Sequence, residues 1–139
     1  MRITLIYPPG DFGVGSEKLT QLIDMAPPLG LAYIAAVLER AGHEVRIIDA
    51  KIESLSLEGV LKRVEDFNPD IVGISIYTAD FCMAVSLASQ LKKQGSYTII
   101  VGGAHVSALP EEVMQQDCFD YGVVGEGERT VVELVDVIS

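Results

Sequence analysis

The chain has no tryptophan, and aromatic residues make up only 6% of its 139 positions. A platform that stacks successive bases of a single strand needs aromatic faces, so this composition argues against one. Basic residues are scarce as well: 10 lysines and arginines stand against 20 acids, for a formal net charge of −10. Without a basic face there is nothing to neutralise phosphates, and no nucleic-acid partner is expected. The 2 cysteines, Cys82 and Cys118, lie far apart with no Cys-x-x-Cys spacing. They read as reduced thiols of a cytoplasmic protein, not as a disulfide or metal pair, and no metal ligands are assigned. No apolar run reaches the length of a bilayer span, so no membrane segment is expected. Met1-Arg2-Ile3-Thr4-Leu5-Ile6 is too short and too β-like for a signal peptide. What is plentiful is aliphatic: 49% of the residues are hydrophobic. That suits helices packed on a sheet, and the length suits one domain over residues 1–139.

One stretch organises the rest. Thr98-Ile99-Ile100-Val101 is a β-branched run that stops at Gly102-Gly103, followed by Ala104-His105-Val106-Ser107 and then Pro110-Glu111-Glu112. This reads as a buried strand, then a Gly-Gly loop carrying His105 and Ser107, then a helix opened by Pro110 with acids at its positive end. Ligands sit at such strand C-termini in open parallel sheets. A tight turn with glycines for packing alone explains the stretch equally well.

In chain order, Ile3–Tyr7 is the first strand, ended by Pro8-Pro9-Gly10. A long segment without clear periodicity runs from Asp11 to about Ala26, a length that is often functional. Its Gly13-x-Gly15 is a weak dinucleotide match, because Lys18 stands where a third glycine belongs. Pro27-Pro28 open a helix from Leu29 to Arg40, closed by Gly42. Glu44–Ile48 is the second strand, and Ser56 is placed to cap a helix whose stripe is Leu57, Val60, Leu61, Val64 and Phe67. Ile71–Ile76 is a third, nearly all-apolar strand, as buried parallel strands are. A helix from Asp80 to Lys93 follows, with Phe81, Ala84, Val85, Ala88 and Leu91 on one face. Beyond the fourth strand and a short helix, Phe119–Val124 is the fifth strand. The last helix carries Val131, Leu134, Val135 and Ile138, with Thr130-x-x-Glu133 as its capping box. Five alternating strand–helix units predict an α/β fold: a flavodoxin-like, doubly wound, five-stranded parallel sheet in order 2-1-3-4-5.

In that order the loops after strands one, three, four and five form one rim. They hold Pro8, Pro9 and Gly10; Ser75, Tyr77 and Thr78; Gly102, Gly103, Ala104, His105 and Ser107; and Gly125, Glu126 and Gly127. Small residues there leave a groove, and backbone N–H groups and hydroxyls offer hydrogen bonds to a large, mostly neutral cofactor. His105 reads as a polar contact to cofactor or as a loop histidine bonded to a carbonyl. Glu126 and Glu128 read as ligands for a metal or a ribose hydroxyl, or as helix-dipole partners. Ser75 and Thr78 meet a ligand or the loose backbone after the strand. His43 is expected at the surface, and Met25, Met83 and Met114 in packing. No Ser or Cys is paired with a His and a carboxylate in a recognisable motif, so no catalytic residues are assigned.

Four pieces, in order, resemble a known family: Pro28-Leu29-Gly30-Leu31-Ala32-Tyr33-Ile34-Ala35-Ala36-Val37-Leu38; Pro69-Asp70-Ile71-Val72-Gly73-Ile74-Ser75; Val101 to Ser107 with Pro110-Glu111-Glu112; and Asp120-Tyr121-Gly122-Val123-Val124-Gly125-Glu126-Gly127-Glu128. The chain resembles the cobalamin (vitamin B12)-binding domain at the front of many radical S-adenosylmethionine enzymes. The resemblance covers almost the whole chain. It implies a bound cobalamin with its nucleotide tail beside strands one, three and four, and a radical SAM domain in the same polypeptide, with methyl transfer as a common parent reaction. Many cobalamin domains carry Asp-x-His-x-x-Gly after strand one, whose His binds cobalt. This chain has Gly10-Asp11-Phe12-Gly13 there, so the expectation is B12 held without a protein His ligand. The cluster motif Cys-x-x-x-Cys-x-x-Cys is also absent. S-adenosylmethionine and a 4Fe–4S cluster would therefore belong to a further, C-terminal domain, and this chain would be the front piece of a longer protein or a stand-alone relic. Two rival readings stand: a non-binding scaffold packed on a catalytic barrel, and a receiver-like signalling domain. The receiver needs acids after strand one, an Asp ending strand three and a Lys after strand five, where this chain has Pro8-Pro9, Ser75 and Gly125-Glu126.

Overall fold

The computed structural model describes residues 1–10 and 28–139. The segment after strand one, with its Gly13-x-Gly15, Lys18, Met25 and Pro27, lies outside the described residues. Strands β1 (Arg2–Tyr7), β2 (Glu44–Asp49), β3 (Ile71–Ser75), β4 (Thr98–Gly102) and β5 (Tyr121–Gly122) form one sheet. Its order is β2-β1-β3-β4-β5, and every pairing is parallel. The expected flavodoxin-like arrangement is therefore what the chain adopts.

Helices α1 (Leu29–Arg40) and α6 (Glu128–Ile138) cover one face of the sheet; α2 (Leu57–Phe67) and α3 (Phe81–Gln94) cover the other. Strand alternation sorts the core. Ile3, Leu5, Ile71 and Ile100 meet Leu31, Ala35 and Leu38 of α1 and Val131 and Val135 of α6. Ile6, Val72, Ile74, Ile76, Ile99 and Val101 meet Val60, Leu61 and Val64 of α2 and Ala84, Leu87, Ala88 and Leu91 of α3. Leu87 completes the α3 stripe and is absent from the face read off the sequence.

Local signals explain most boundaries. The Ser56 hydroxyl accepts the Gly59 N–H at 3.1 Å, which caps α2 as expected. Asn68 ends α2 in the left-handed region at φ 48°, a conformation asparagine tolerates. Two aspartates pin strand starts: Asp70 accepts the Arg2 N–H at 2.7 Å, and Asp120 accepts the Ile99 N–H at 2.7 Å and a Lys92 hydrogen at 2.6 Å.

Four expectations need correction. The stretch after Gly103 is not a loop: α4 (Ala104–Ala108) begins at once and carries His105 and Ser107, before α5 (Pro110–Val113). Strand β3 ends at Ser75, although the Ile76 N–H still donates to the Gly102 carbonyl at 2.8 Å. Strand β5 is only Tyr121–Gly122, an edge pairing with Ile100 and Val101 that ends before Gly125 turns the chain at φ 75°. Thr130 is no cap, because that turn starts α6 at Glu128; Glu133 instead accepts Arg129 Nε at 2.7 Å.

Candidate functional site

On the α1/α6 face, side chains shrink toward the C-terminal ends of the central strands. Along β3 the residues facing that way are Ile71, Gly73 and Ser75; along β4 they are Ile100 and Gly102. The result is a cavity of about 190 Å3 between sheet and helices, floored by Leu5, Gly73, Ile100 and Gly102 and walled by Leu31, Ile34 and Val131. Gly30 at the start of α1 and the Gly125-Glu126-Gly127 turn before α6 edge its mouth.

The glycines do different work. A side chain on Gly102 would begin 3.7 Å from the Val123 carbonyl oxygen and 3.9 Å from Val123 Cβ, ordinary contact, so this glycine keeps the groove open and not the fold intact. Gly103 is a backbone necessity: its φ is +103°, and a Cβ would sit 2.9 Å from the Ile76 carbonyl oxygen. The β4 turn presses on the segment after β3 there. Gly73 would drive a Cβ to 2.7 Å from a Leu5 methyl, so its absence of side chain lets Leu5 lie across the floor.

Of the residues expected at the rim, Ser75, Gly102, Gly103, Gly125, Glu126 and Gly127 line the groove. The others lie outside it. Pro8 and Pro9 are buried and Gly10 half-buried after β1, while Ala104 is exposed at the start of α4. Ser107 acts as a strut: its hydroxyl accepts the Gly125 N–H at 2.9 Å, tying α4 to the turn at the groove mouth.

His105 faces the other way. It is 4% exposed, its ring lies 4.6 Å from that of Phe81, and its Nδ1 is 3.1 Å from the Thr78 hydroxyl. Its Nε2 is buried without a hydrogen-bond partner among the described residues. His43 is half-buried at the opposite end of the sheet, with Nδ1 3.3 Å from the Met1 amino group.

Beyond the groove, a polar cluster ties the ends of β1, β2 and β3. Lys51 donates to Asp80 at 2.7 Å, with the carboxylate side chain only 3% exposed, and its ammonium lies 4.4 Å from the centre of the Tyr7 ring. Tyr77, exposed, meets Tyr7 edge-on at 5.9 Å. Burial pushes the Tyr7 phenol above its ordinary value, against the pull of the Lys51 charge. Among the described residues no group of His, Cys, Asp and Glu is placed to hold a metal ion, and no helix is long and apolar enough to cross a membrane.

Sequence reasoning missed the groove's apolar floor and walls: Leu5, Leu31, Ile34, Ile100, Val123 and Val131. Gly73 was the available signal. A glycine inside an otherwise branched strand marks a close approach to something else.

Fold and groove together define a class: a doubly wound α/β domain with a ligand-sized hollow at the C-terminal ends of its central strands. The chain belongs to the B12 binding domain family, whose match spans residues 24–135. It is 38% identical over 141 residues to an uncharacterized methyltransferase of Pyrococcus horikoshii, covering 100% of this chain and 30% of that protein. It is 36% identical over 123 residues to the cytidylyl-2-hydroxyethylphosphonate methyltransferase of Streptomyces wedmorensis, covering 74% of this chain and 23% of that one. Among solved structures, it superimposes on the radical S-adenosylmethionine methyltransferase TsrM from Kitasatospora setae, with cobalamin and a 4Fe–4S cluster bound. That match has TM-score 0.80 and 18% identity, and covers 99% of this chain and 24% of TsrM. The chain thus spans less than a third of the length of these relatives.

Proposed function

We propose that this chain is the cobalamin-binding module of a radical S-adenosylmethionine enzyme, the N-terminal part of a longer polypeptide whose reaction is a methyl transfer. The observation that carries the reading is the hollow made by Gly73, Ser75 and Gly102 at the strand ends, in a chain whose family is B12-binding. A buried face normally fills such positions with branched side chains, as the opposite face of the same strands does. The residues present fit a cofactor tail: apolar floor and walls for an aromatic base, the Ser75 hydroxyl, and a backbone turn at Gly125–Gly127 for polar groups at the mouth.

When bound, cobalamin supplies a cobalt centre able to accept and pass on a methyl group. The chain's own residues bind and orient. Ser107 fixes the mouth turn, Gly103 lets β4 close on the segment after β3, and the packed α2/α3 face holds the strands rigid. The cluster cysteines for the radical step belong to another domain, because the chain's two cysteines, Cys82 and Cys118, do not form the motif. Incubation with hydroxocobalamin followed by desalting tests the reading. The parent chain should retain the chromophore, and Gly102→Val should lose about tenfold or more in affinity with an unchanged circular dichroism spectrum. A parent chain that emerges colourless overturns the module in favour of a scaffold.

We further propose that no histidine of this chain sits on the lower face of the cobalt. Both histidines lie away from the groove, His105 behind Phe81 and Thr78 and His43 at the far end of the sheet. The electron paramagnetic resonance spectrum of the Co(II) form should therefore be the same in parent and His105→Ala. Nitrogen superhyperfine splitting that vanishes in the variant overturns this.

A further inference from the structure

We infer that the groove selects the tail base of its cobamide, accepting a benzimidazole and refusing a purine. The inference rests on the cobalamin reading above and specifies the ligand class of the same site. The cavity, about 190 Å3, has room for one bicyclic aromatic base and not for a corrin. Benzimidazole and adenine are both bicyclic, so size does not separate them, and polarity must.

The walls and floor are aliphatic. Leu5 and Ile100 rise from the sheet, Leu31 and Ile34 from α1, and Val123 and Val131 from the β5–α6 side. Among the described residues, the one uncharged polar side chain lining the cavity is Ser75. Glu126 and Glu128 line it only from the mouth, exposed and half-buried, where water reaches them.

Dimethylbenzimidazole freed from a metal offers one acceptor nitrogen, which a single hydroxyl can satisfy, and two methyl groups that suit aliphatic walls. An adenine brings an exocyclic amine with two donors and additional ring acceptors. The Val123 carbonyl, 3.7 Å from where a Gly102 side chain would begin, can take one amine hydrogen. The second hydrogen and the remaining ring nitrogens would be stripped of water against Leu, Ile and Val. Buried polar groups left without partners cost far more than a made hydrogen bond returns.

The test titrates the chain with cobalamin, with the adenine-tailed cobamide, and with cobinamide, which has no tail base. Cobalamin should bind roughly tenfold or more tighter than either of the other two. Equal affinity for cobalamin and the adenine-tailed form overturns the selectivity while leaving the cobalamin reading intact. Cobinamide as tight as cobalamin overturns the seating of the base in the groove. Binding of none of the three overturns both readings. Ile34→Gln, which brings an amide to the half-buried wall, should narrow the gap between cobalamin and the adenine-tailed form. An unchanged gap in the folded variant counts against the mechanism.

Discussion

The two faces of this sheet are built by the same strands and end differently. On the α2/α3 face, branched residues continue to the strand ends: Val72, Ile74 and Ile76 of the β3 segment and Ile99 and Val101 of β4 are all buried. On the α1/α6 face, the alternate residues taper to Gly73, Ser75 and Gly102, and the core gives way to a cavity. One face is a foundation and the other a receptacle. The difference shows how period-two alternation lets one short strand pack a core on one face and leave a cavity on the other. It also explains the division among the polar groups. On the closed face polar groups such as the Lys51–Asp80 pair and His105 are buried among branched side chains, while the open face leaves Ser75 half-buried at the groove.

The largest effect should come from truncating the closed face. Leu87→Ala, at a site 0% exposed, should cost about 2–5 kcal/mol. Leu31→Ala on the groove wall should fall near the bottom of that range, because its partners are already missing on one side. Urea unfolding of both variants measures the gap, and equal losses would mean that the two faces do not differ in packing.

The adjacent glycines sharpen the contrast next. Gly103→Val should destabilise the fold by about 1–3 kcal/mol through backbone strain, with the clash against Ile76 added. Gly102→Val should cost less than about 1 kcal/mol and act on binding. Thermal melts of the pair read this directly, and a Gly102 variant as damaged as the Gly103 one breaks the assignment of their roles.

The smallest effect should follow Ser107→Ala. Losing one hydrogen bond to a mouth turn costs about 0.5–1.5 kcal/mol. Local opening should show as faster hydrogen exchange at the Gly125 amide, with global stability little changed. Unaltered exchange at that amide would remove Ser107 from the groove architecture.

Much of the architecture was legible in the chain because it rests on local and periodic signals. β-Branched runs bounded by glycine and proline marked β1, β3 and β4, the Ser56 cap and the apolar stripe marked α2, and five alternating units restricted the sheet to one family of orders. The misjudged boundaries share a cause. Thr130-x-x-Glu133 has the capping pattern, yet the Gly125 turn delivers the chain into α6 three residues earlier, with Gly127 at the cap, and leaves Glu133 to Arg129. The short β5 pairs with β4 only at Tyr121 and Gly122 before the Gly125 turn takes the chain into α6.

The site divides in the same way. The rim glycines and Ser75 could be named from sequence, since glycine at a strand end signals a close approach. The roles of His105 and Ser107 could not. Residues 104–108 carry no strong helix-start signal, and α4 forms because the Gly103 turn against Ile76 launches it. Once helical, α4 buries His105 against Phe81 and points Ser107 to Gly125. By itself the sequence determined the class of fold, the small residues gathered at the strand ends, and the family resemblance, all of which depend on residue type and spacing along the chain. Only the tertiary structure decided that the hollow lies on the α1/α6 face, that its walls are Leu31, Ile34 and Val131, and that His105 is turned away. Those outcomes depend on which helices cover which side of the sheet, a matter of contacts between residues far apart in sequence.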